Sequence, residues 1–339
     1  NNGRYIDKYD RTTGFSREVN PYPWFYSGEP AMDMVERWQW TFPIVLSPLD
    51  PDALYVSSNR LWRSMDRGNS WEVLSPDLTR ADPGTLGHSG GPITGDMNGP
   101  EVYATIFTVA PGKIDEDVIW TGSDDGLVHV TRDGGESGTD VTPPDMPDFG
   151  RVSLIDASAF DAGRAYMAVK RSLLNDQAPH IWKTEDFGQS WTKIVDGIKE
   201  RAFVHSVRED PTRPGLLYAA TNRGMYISYN DGARWQELNP GFPDIPVTGL
   251  IVEDDADLRN IERRVLQMHA DKREERKEVW AGDIAAVEYM YPDAPFEPEK
   301  PDREEPGQRG PDRGPQVLLD RQRGEEAVHA VERLDVQHA

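Results

Sequence analysis

Four aspartates of the chain stand in polar, turn-like stretches where a carboxylate could act as a general acid or base. Asp124 and Asp125 are adjacent in the stretch GSDDG, whereas Asp96 and Asp176 lie in two other stretches. Two carboxylates on either side of a bond can divide the acid and base roles of a hydrolysis between them. We treat these four aspartates as catalytic candidates, while noting that Asp-Asp-Gly is also a favourable β-turn sequence.

Basic side chains in comparable stretches could instead bind an anionic ligand. The ligand-binding candidates are His88, Arg151, Arg171, Arg201 and Arg223. The seven histidines show no metal-ligand spacing, and the sequence contains no H-E-x-x-H, G-x-S-x-G or P-loop pattern. These patterns carry zinc, acyl-transfer and nucleotide chemistry, so we predict neither a metal nor another cofactor.

Four related octapeptides divide the chain into repeats. They begin at Ser64, Thr131, Thr184 and Ser228, with spacings of 67, 53 and 44 residues. Each octapeptide, here called a box, has Ser or Thr, then Asp or Asn, then Gly, and ends on Trp in three of the four copies. The remaining box residues are Asp66, Gly68, Trp71, Asp133, Gly135, Asp186, Gly188, Trp191, Asn230, Gly232 and Trp235. We predict that the boxes are turns rather than active sites, because their hydroxyl and carboxylate can accept backbone N–H groups and a catalytic site is rarely built four times.

β-like segments surround every box in the same order. Two short apolar runs precede it, such as VIWTGS and LVHVT, a third lies further upstream, and a polar-edged strand follows. Four strands in each repeat are typical of a β-propeller blade. We therefore predict an all-β fold with four antiparallel blades over residues 40–257, and an outer hairpin of an earlier blade at residues 4–20.

Propeller topology also predicts which residues share a face. The turns between the second and third strands, and the connections from a fourth strand to the next blade, lie together on what we call the loop face, and the boxes lie on the opposite rim. Binding residues concentrate on such loops. The loop face should carry the catalytic and ligand-binding candidates above, together with Asn59, Asp148, Lys170, Lys199 and Asn222.

The pattern S/T-x-D-x-G-x-x-W resembles the Asp-box, or BNR repeat, of bacterial sortilin-like (VPS10-like) and glycosyl-hydrolase-like propellers, over about residues 4–257. The resemblance implies one of two functions. One is an extracytoplasmic recognition module that binds a protein or a glycan through the loop face. The other is a glycoside hydrolase that uses a pair of loop-face Asp carboxylates. A sialidase fits least, since no unit offers a clear Tyr-Glu pair beside its arginines.

The amino-acid composition limits which binding partners and which cellular location we predict for the protein. The formal net charge of −22 disfavours nucleic acid and anionic membrane surfaces, and no apolar run is long enough for a transmembrane helix. The absence of cysteine suits an exported, periplasmic or secreted bacterial protein. The first residues show neither Met nor a signal peptide, so we expect a processed chain or a fragment. The sequence predicts about four complete blades plus part of one at each end, whereas a propeller commonly closes with about six to eight blades, so we expect that blades are missing or come from elsewhere.

The pattern changes after residue 257. Residues 258–278 place Leu258, Ile261, Val265 and Met268 at helical spacing, which predicts a charged helical segment over 258–291. Residues 297–316 contain five prolines and no aliphatic or aromatic residue. Such a sequence cannot bury a core, so we predict that 292–339 is mostly disordered. The predicted domains are therefore a propeller at 1–257 and these two segments.

Overall fold

A computed structural model describes residues 5–24, 26–91, 93, 95–238 and 244–252, which all belong to one compact unit. The helical and disordered segments predicted at 258–291 and 292–339 lie outside the described residues. Within these ranges, no helix is long and apolar enough to cross a membrane.

Four four-stranded antiparallel sheets follow one another along the chain, and in each the strand order in space equals the order in sequence. This confirms the predicted blades. Blade 1 contains β3 (Ile44–Leu46), β4 (Leu54–Ser57), β5 (Leu61–Ser64) and β6 (Glu72–Val73). Blade 2 contains β7 (Ile106–Pro111), β8 (Val118–Ser123), β9 (Val128–Arg132) and β10 (Thr139–Asp140). Blade 3 contains β11 (Arg151–Ala157), β12 (Ala165–Lys170), β13 (Ile181–Thr184) and β14 (Thr192–Lys193), and blade 4 contains β15 (Val204–Glu209), β16 (Leu217–Thr221), β17 (Gly224–Ser228) and β18 (Gln236–Glu237).

Burial differs between the strands of one blade. All six residues of β8 are buried, because a second strand in a blade has a neighbouring sheet against each of its faces. The fourth strands are two residues long and exposed at the outer edge. Short, polar outer strands limit the unpaired edge that a blade offers to other chains.

Adjacent blades pack face to face through hydrophobic clusters. Trp120 and Met167, for example, belong to the cluster between blades 2 and 3, and Tyr166 and Leu217 to the cluster between blades 3 and 4. The first strands contact one another in sequence, β7 with β11 and β11 with β15. Successive four-stranded sheets that meet at their first strands are the blades of a β-propeller, which is the fold of this chain.

Every box forms the turn between the third and fourth strands of its blade, as predicted. In the first box, the Ser64 hydroxyl accepts the Gly68 N–H (2.7 Å) and the Asp66 carboxylate accepts the Ser70 N–H (2.8 Å). The same pair of bonds recurs in the other three boxes. The box glycines have φ between +80° and +103°, a region that disfavours any residue with a Cβ.

The box tryptophans bind the preceding blade rather than their own. The indole N–H of Trp191 donates to the Val141 carbonyl (2.7 Å), and that of Trp235 donates to the Ile194 carbonyl (2.8 Å). Val141 and Ile194 are the residues that directly follow the fourth strands of blades 2 and 3. A box therefore closes its own turn and also attaches its blade to the blade before it.

Residues at both ends of the described region continue this pattern. The first box contacts the hairpin of β1 (Asp7–Tyr9) and β2 (Ser16–Glu18). The Trp71 indole N–H donates to the carbonyl of Val19, the residue that follows β2, at 2.9 Å. The hairpin thus occupies the place of the outer strand pair of an earlier blade, as the sequence predicted. At the other end, the Val247 N–H donates to the Thr221 carbonyl (2.9 Å), and Leu250 is buried against blade 4.

Candidate functional site

Some of the residues predicted for the loop face take part in contacts between neighbouring loops. Each connection that leaves a fourth strand is bonded to a turn between second and third strands. Arg80 Nε donates to the Asp125 carbonyl (2.9 Å), and Arg171 Nε donates to the Asp148 carbonyl (2.8 Å). Two further contacts of this kind join Arg201 to Gln177 (3.1 Å) and Arg223 to Asp244 (2.6 Å). Arg171, Arg201 and Arg223 therefore stabilise the loop face.

Asp124 and Asp125 are buried and fully engaged. The Asp124 carboxylate accepts the backbone N–H (2.8 Å) and the hydroxyl (2.9 Å) of Thr105, where the chain enters blade 2. Asp125 accepts the Ser123 hydroxyl (2.6 Å) and the Arg80 N–H (2.9 Å). Burial raises the pKa of Asp124 to about 7 despite the Thr105 bonds, and the nearby Asp125 charge adds to the rise.

Asp176 binds residues of its own loop. It accepts the Ala178 N–H (3.0 Å), and its Oδ2 is 3.0 Å from His180 Nε2. Burial acts to raise the pKa of Asp176, but these hydrogen bonds outweigh it and the pKa is lowered. His180 stacks on Trp182 with their ring centroids 5.7 Å apart, so the loop is anchored to β13.

Asp96 and His88 lie on the exposed connection between blades 1 and 2. The Asp96 N–H donates to the Ser89 carbonyl (3.0 Å), and His88 Nδ1 is 2.9 Å from Met97 Sδ. Across the described residues, no hydrogen bond or ion pair joins Asp96 to Asp124, Asp125 or Asp176. The four catalytic candidates thus do not form one hydrogen-bonded site.

A different group of residues surrounds the start of the innermost strands on the loop face. We call it the inner-rim cluster, and it consists of Tyr103, Phe107, Arg151, Lys170 and His205, all half-buried. The Arg151 guanidinium lies over the Phe107 ring at 4.7 Å, and Arg151 is the β-sheet partner of Lys170. Directly paired residues of antiparallel strands project their side chains to the same side, so the two cations are neighbours.

Electrostatics within the cluster reflect this crowding of positive charge. Burial lowers the pKa of Lys170, and the Arg151 charge lowers it further. Burial and the Lys170 charge together lower the pKa of His205 to about 4, so its imidazole is neutral at pH 7. Neither Arg151 nor Lys170 has a carboxylate within ion-pair distance among the residues that the structure describes. A cationic site on an otherwise acidic protein is what an anionic ligand would require.

Comparison of blades 2 and 3 shows what is unusual about these cations. In every blade, the Ser or Thr that begins the box is paired with a residue of the second strand. The residue five positions after that partner occupies the same place in each blade. It is Asn59, Asp124, Lys170 and Asn222 in blades 1 to 4. Asn59 and Asp124 accept backbone N–H groups, of Arg37 and Thr105 respectively. A lysine ammonium cannot accept a hydrogen bond. In blade 3, the mutually satisfied pair of Asp124 and Thr105 is therefore replaced by Lys170 and Arg151.

A cavity of about 400 Å³ lies between the innermost strands next to this cluster. Phe107 belongs to both, and most of the wall is apolar, for example Val45, Val109 and Leu154. Arg208 enters the cavity and binds the buried Asp156 carboxylate at 2.8 Å. A ligand bound to Arg151 and Lys170 would thus lie beside Phe107, which also lines this cavity.

The sequence indicated part of this site. Arg151 and Lys170 were expected on the loop face, whereas Tyr103 and Phe107 were not. No sign of an irregularity in the innermost strands is visible in the sequence. In each of blades 2 to 4 the pairing register of this strand shifts by one residue, at Phe107, Ser153 and His205 respectively. Such β-bulges redirect a side chain, and their positions follow from strand pairing rather than from local sequence.

No family model and no curated protein matches the chain. Similar solved structures include an ancestral GH74 enzyme (18% identity, TM-score 0.45, 66% of this chain and 25% of that one). Two others are YCF48 from Cyanidioschyzon merolae (23% identity, TM-score 0.31, 39% of this chain and 36% of that one) and the Cps50 (Swd1) β-propeller domain of Myceliophteria thermophila (8%, 0.38, 63% and 57%). The chain spans between a quarter and just over half of the length of these structures, and the fold assignment rests on its own four blades.

Proposed function

We propose that the chain is an extracytoplasmic recognition module whose loop face binds a protein or a glycan through a carboxylate at the inner-rim cluster. The observation that carries this proposal is the pairing of Arg151 with Lys170, without a carboxylate partner among the described residues. Two adjacent half-buried cations repel each other in the free protein. A bound carboxylate would remove that repulsion and form charge-assisted hydrogen bonds with both.

Aromatic rings beside the cations support binding rather than catalysis. Phe107 and Tyr103 offer flat apolar surface next to the charges, as ligand sites commonly combine apolar walls with a few polar groups. Burial and the charges of Asp124 and Asp125 raise the pKa of Tyr103 to about 12. Tyr103 is therefore a neutral hydroxyl at pH 7, able to donate a hydrogen bond to a ligand.

Binding of defined anions to the full chain tests the proposal. The probes are oligogalacturonate as a carboxylated glycan, an oligoglutamate peptide, and dextran as a neutral control. At least one carboxylated probe should bind, more weakly as salt is added, and Lys170→Gln should weaken it by about tenfold because one charge-assisted hydrogen bond is lost. Lys8→Gln, an exposed lysine on β1, is the matched control and should bind as the parent does. If neither anion bound, or if Lys170→Gln bound equally well, the proposal would be wrong.

Glycoside hydrolysis is the second candidate, and the raised pKa of Asp124 favours it. A carboxylic acid that stays protonated near pH 7 can act as a general acid. Against this role, Asp124 is 1% exposed and both its oxygens bind Thr105. The test measures the release of reducing ends from a panel of polysaccharides. If the parent chain released them and Asp124→Asn did not, the chain would be a glycoside hydrolase and the proposal of a recognition module would be wrong.

A further inference from the structure

The turn between the second and third strands of blade 3 is longer than its counterparts. It comprises residues 171–180, here called the leucine turn, whereas the corresponding turns of blades 1, 2 and 4 are residues 58–60, 124–127 and 222–223. The leucine turn starts directly after Lys170 of the inner-rim cluster. A loop that extends beyond a repeated, rigid scaffold is a common place for a binding site.

Hydrogen bonds stabilise the leucine turn along its length. Ser172–Leu174 forms one turn of 3-10 helix, and the Leu174 N–H donates to the Arg171 carbonyl (2.9 Å). The second half of the turn contains the bonds of Asp176 described above and also accepts Arg201 from the neighbouring connection. A loop that is ordered before binding loses less conformational entropy when a ligand binds.

Two adjacent apolar side chains are exposed on this ordered turn. Leu173 is 79% exposed and Leu174 is 51% exposed. Cations flank them, because Lys170 and Arg171 precede them in the chain and Arg201 is bonded to the same turn. Exposed apolar side chains that are bordered by charged ones are typical of surfaces that bind other proteins.

Chain geometry limits the distance between Lys170 and Leu173. Three residues of extended chain span at most about 11 Å. A ligand in an extended conformation advances by about 3.3 Å per residue. A carboxylate bound at the cation pair and an apolar side chain at Leu173 can therefore belong to ligand residues that lie within about three positions of each other.

We propose that the ligand of the inner-rim cluster is a peptide segment of a partner protein, in which acidic and apolar side chains are close in sequence. An acidic side chain would bind Arg151 and Lys170, a step that rests on the proposed function, and an apolar side chain would pack on Leu173 and Leu174. Leucine side chains carry no hydrogen-bonding group, so a glycan hydroxyl placed against them would lose its bonds to water without replacement. The leucine turn thus favours a protein over a glycan.

Binding of short peptides to the full chain tests this inference. Two peptides contain Glu-Glu-Leu-Leu or Leu-Leu-Glu-Glu between Gly-Ser pairs, and both are acetylated and amidated, so that the glutamates carry their only charges. Serine peptides, in which serine replaces both leucines, are the matched controls. Oligogalacturonate is the carboxylated glycan. Isothermal titration calorimetry measures the Kd of each probe.

The contribution of the leucine turn appears as a difference between matched peptides. At least one leucine peptide should bind about tenfold more tightly than its serine control, because burial of apolar side chains is favourable. Leu173→Ala should remove most of this difference and leave the affinity of the serine peptide unchanged. Leu49→Ala is the matched control in the chain, at an exposed leucine in the turn between the first and second strands of blade 1, and should bind every peptide as the parent does.

Lys170→Gln separates this inference from the proposed function. It should weaken the leucine and serine peptides by the same factor, because it acts on the carboxylate alone. If the serine peptides or oligogalacturonate bound in a manner that depends on Lys170, but the leucine peptides bound no more tightly than their serine controls, only the inference would be wrong. If no carboxylated probe bound at millimolar concentration, both would be wrong. Self-association in sedimentation experiments that Leu173→Ala abolishes would assign the leucines to a second copy of the chain and would also overturn the inference.

Discussion

The box turns, here called the outer rim, and the loop-face turns between second and third strands together with the inner-rim cluster, here called the inner rim, use carboxylates in opposite ways. On the outer rim, Asp66 and Asp133 are in contact with solvent, yet hydrogen bonds from Ser70 and Ser137 hold their pKa values at about 2. On the inner rim, Asp124 is buried, and burial raises its pKa to about 7. Accessibility alone would have pointed to the boxes as the reactive groups. The hydrogen bonds show that their carboxylates complete a turn.

Repetition separates the two rims as clearly as the pKa values do. The outer rim repeats one turn four times with nearly the same residues. The inner rim carries Asn59, Asp124, Lys170 and Asn222 at one equivalent position, and only the first two accept backbone N–H groups of the entering chain. A scaffold position tolerates little change, because every blade needs the same bonds. Variation at an equivalent position in a rigid scaffold identifies where a specific ligand could be recognised.

The largest effect should come from a box tryptophan. Trp235 is 2% exposed and donates its indole N–H to Ile194. Trp235→Ala should lower the free energy of unfolding by about 4 kcal/mol, through the cavity and the lost hydrogen bond. Trp24→Ala, at a tryptophan that is 60% exposed, should change it by less than about 0.5 kcal/mol. Urea denaturation measures the free energy of unfolding of both variants. Similar losses in the two would contradict the inference that the box tryptophans attach each blade to the one before it.

The next effect is a pH dependence of the inner rim. Because the folded pKa of Asp124 is raised to about 7 from 3.8, the folded chain binds the extra proton between these values. Stability from this group is therefore greatest below about pH 4 and is lost as the pH rises to about 7, by a few kcal/mol at ~1.4 kcal/mol per pKa unit. Asp124→Asn keeps an acceptor for the Thr105 N–H and should remove this loss. Urea denaturation across the range checks it, and an unchanged slope in the variant would assign the dependence to other groups.

An outer-rim aspartate should show a smaller effect of opposite sign. Hydrogen bonds from Ser190 and Thr184 lower the pKa of Asp186 despite slight burial. Asp186→Ala should cost about 1 kcal/mol near neutral pH, and this cost should shrink as the pH falls through the folded pKa. Ligand binding should not change. Thermal melts at several pH values give the measurement, and loss of binding at an unchanged melting temperature would show that the box is part of a functional site.

Much of the scaffold could be predicted from the sequence because the same pattern of strands and box turn recurs four times. The strands, the boxes and the place of the β1–β2 hairpin all follow from patterns that lie within one blade. The attachment of Trp191 to Val141 could not be predicted, since it joins residues fifty positions apart in neighbouring blades. The inner-rim cluster was only partly predicted for the same reason. Its members come from two or three blades, and β-bulges decide which side chains meet.

The smallest effect distinguishes a binding cation from a structural one. Burial and the Arg151 charge lower the pKa of Lys170, so its charged form costs stability in the free protein. Lys170→Met should therefore raise the free energy of unfolding at pH 7 by about 0.5 kcal/mol, after allowance for solvent screening of a half-exposed side chain. The gain should shrink as the pH rises towards 10.5, because the parent lysine then becomes neutral in both states. Lys8→Met at an exposed position should give no gain. A residue that destabilises the free protein but is needed for binding is the expected signature of a functional site. If Lys170→Met instead lowered stability, Lys170 would be part of the scaffold, and the inner rim would differ from the outer rim in residue type but not in role.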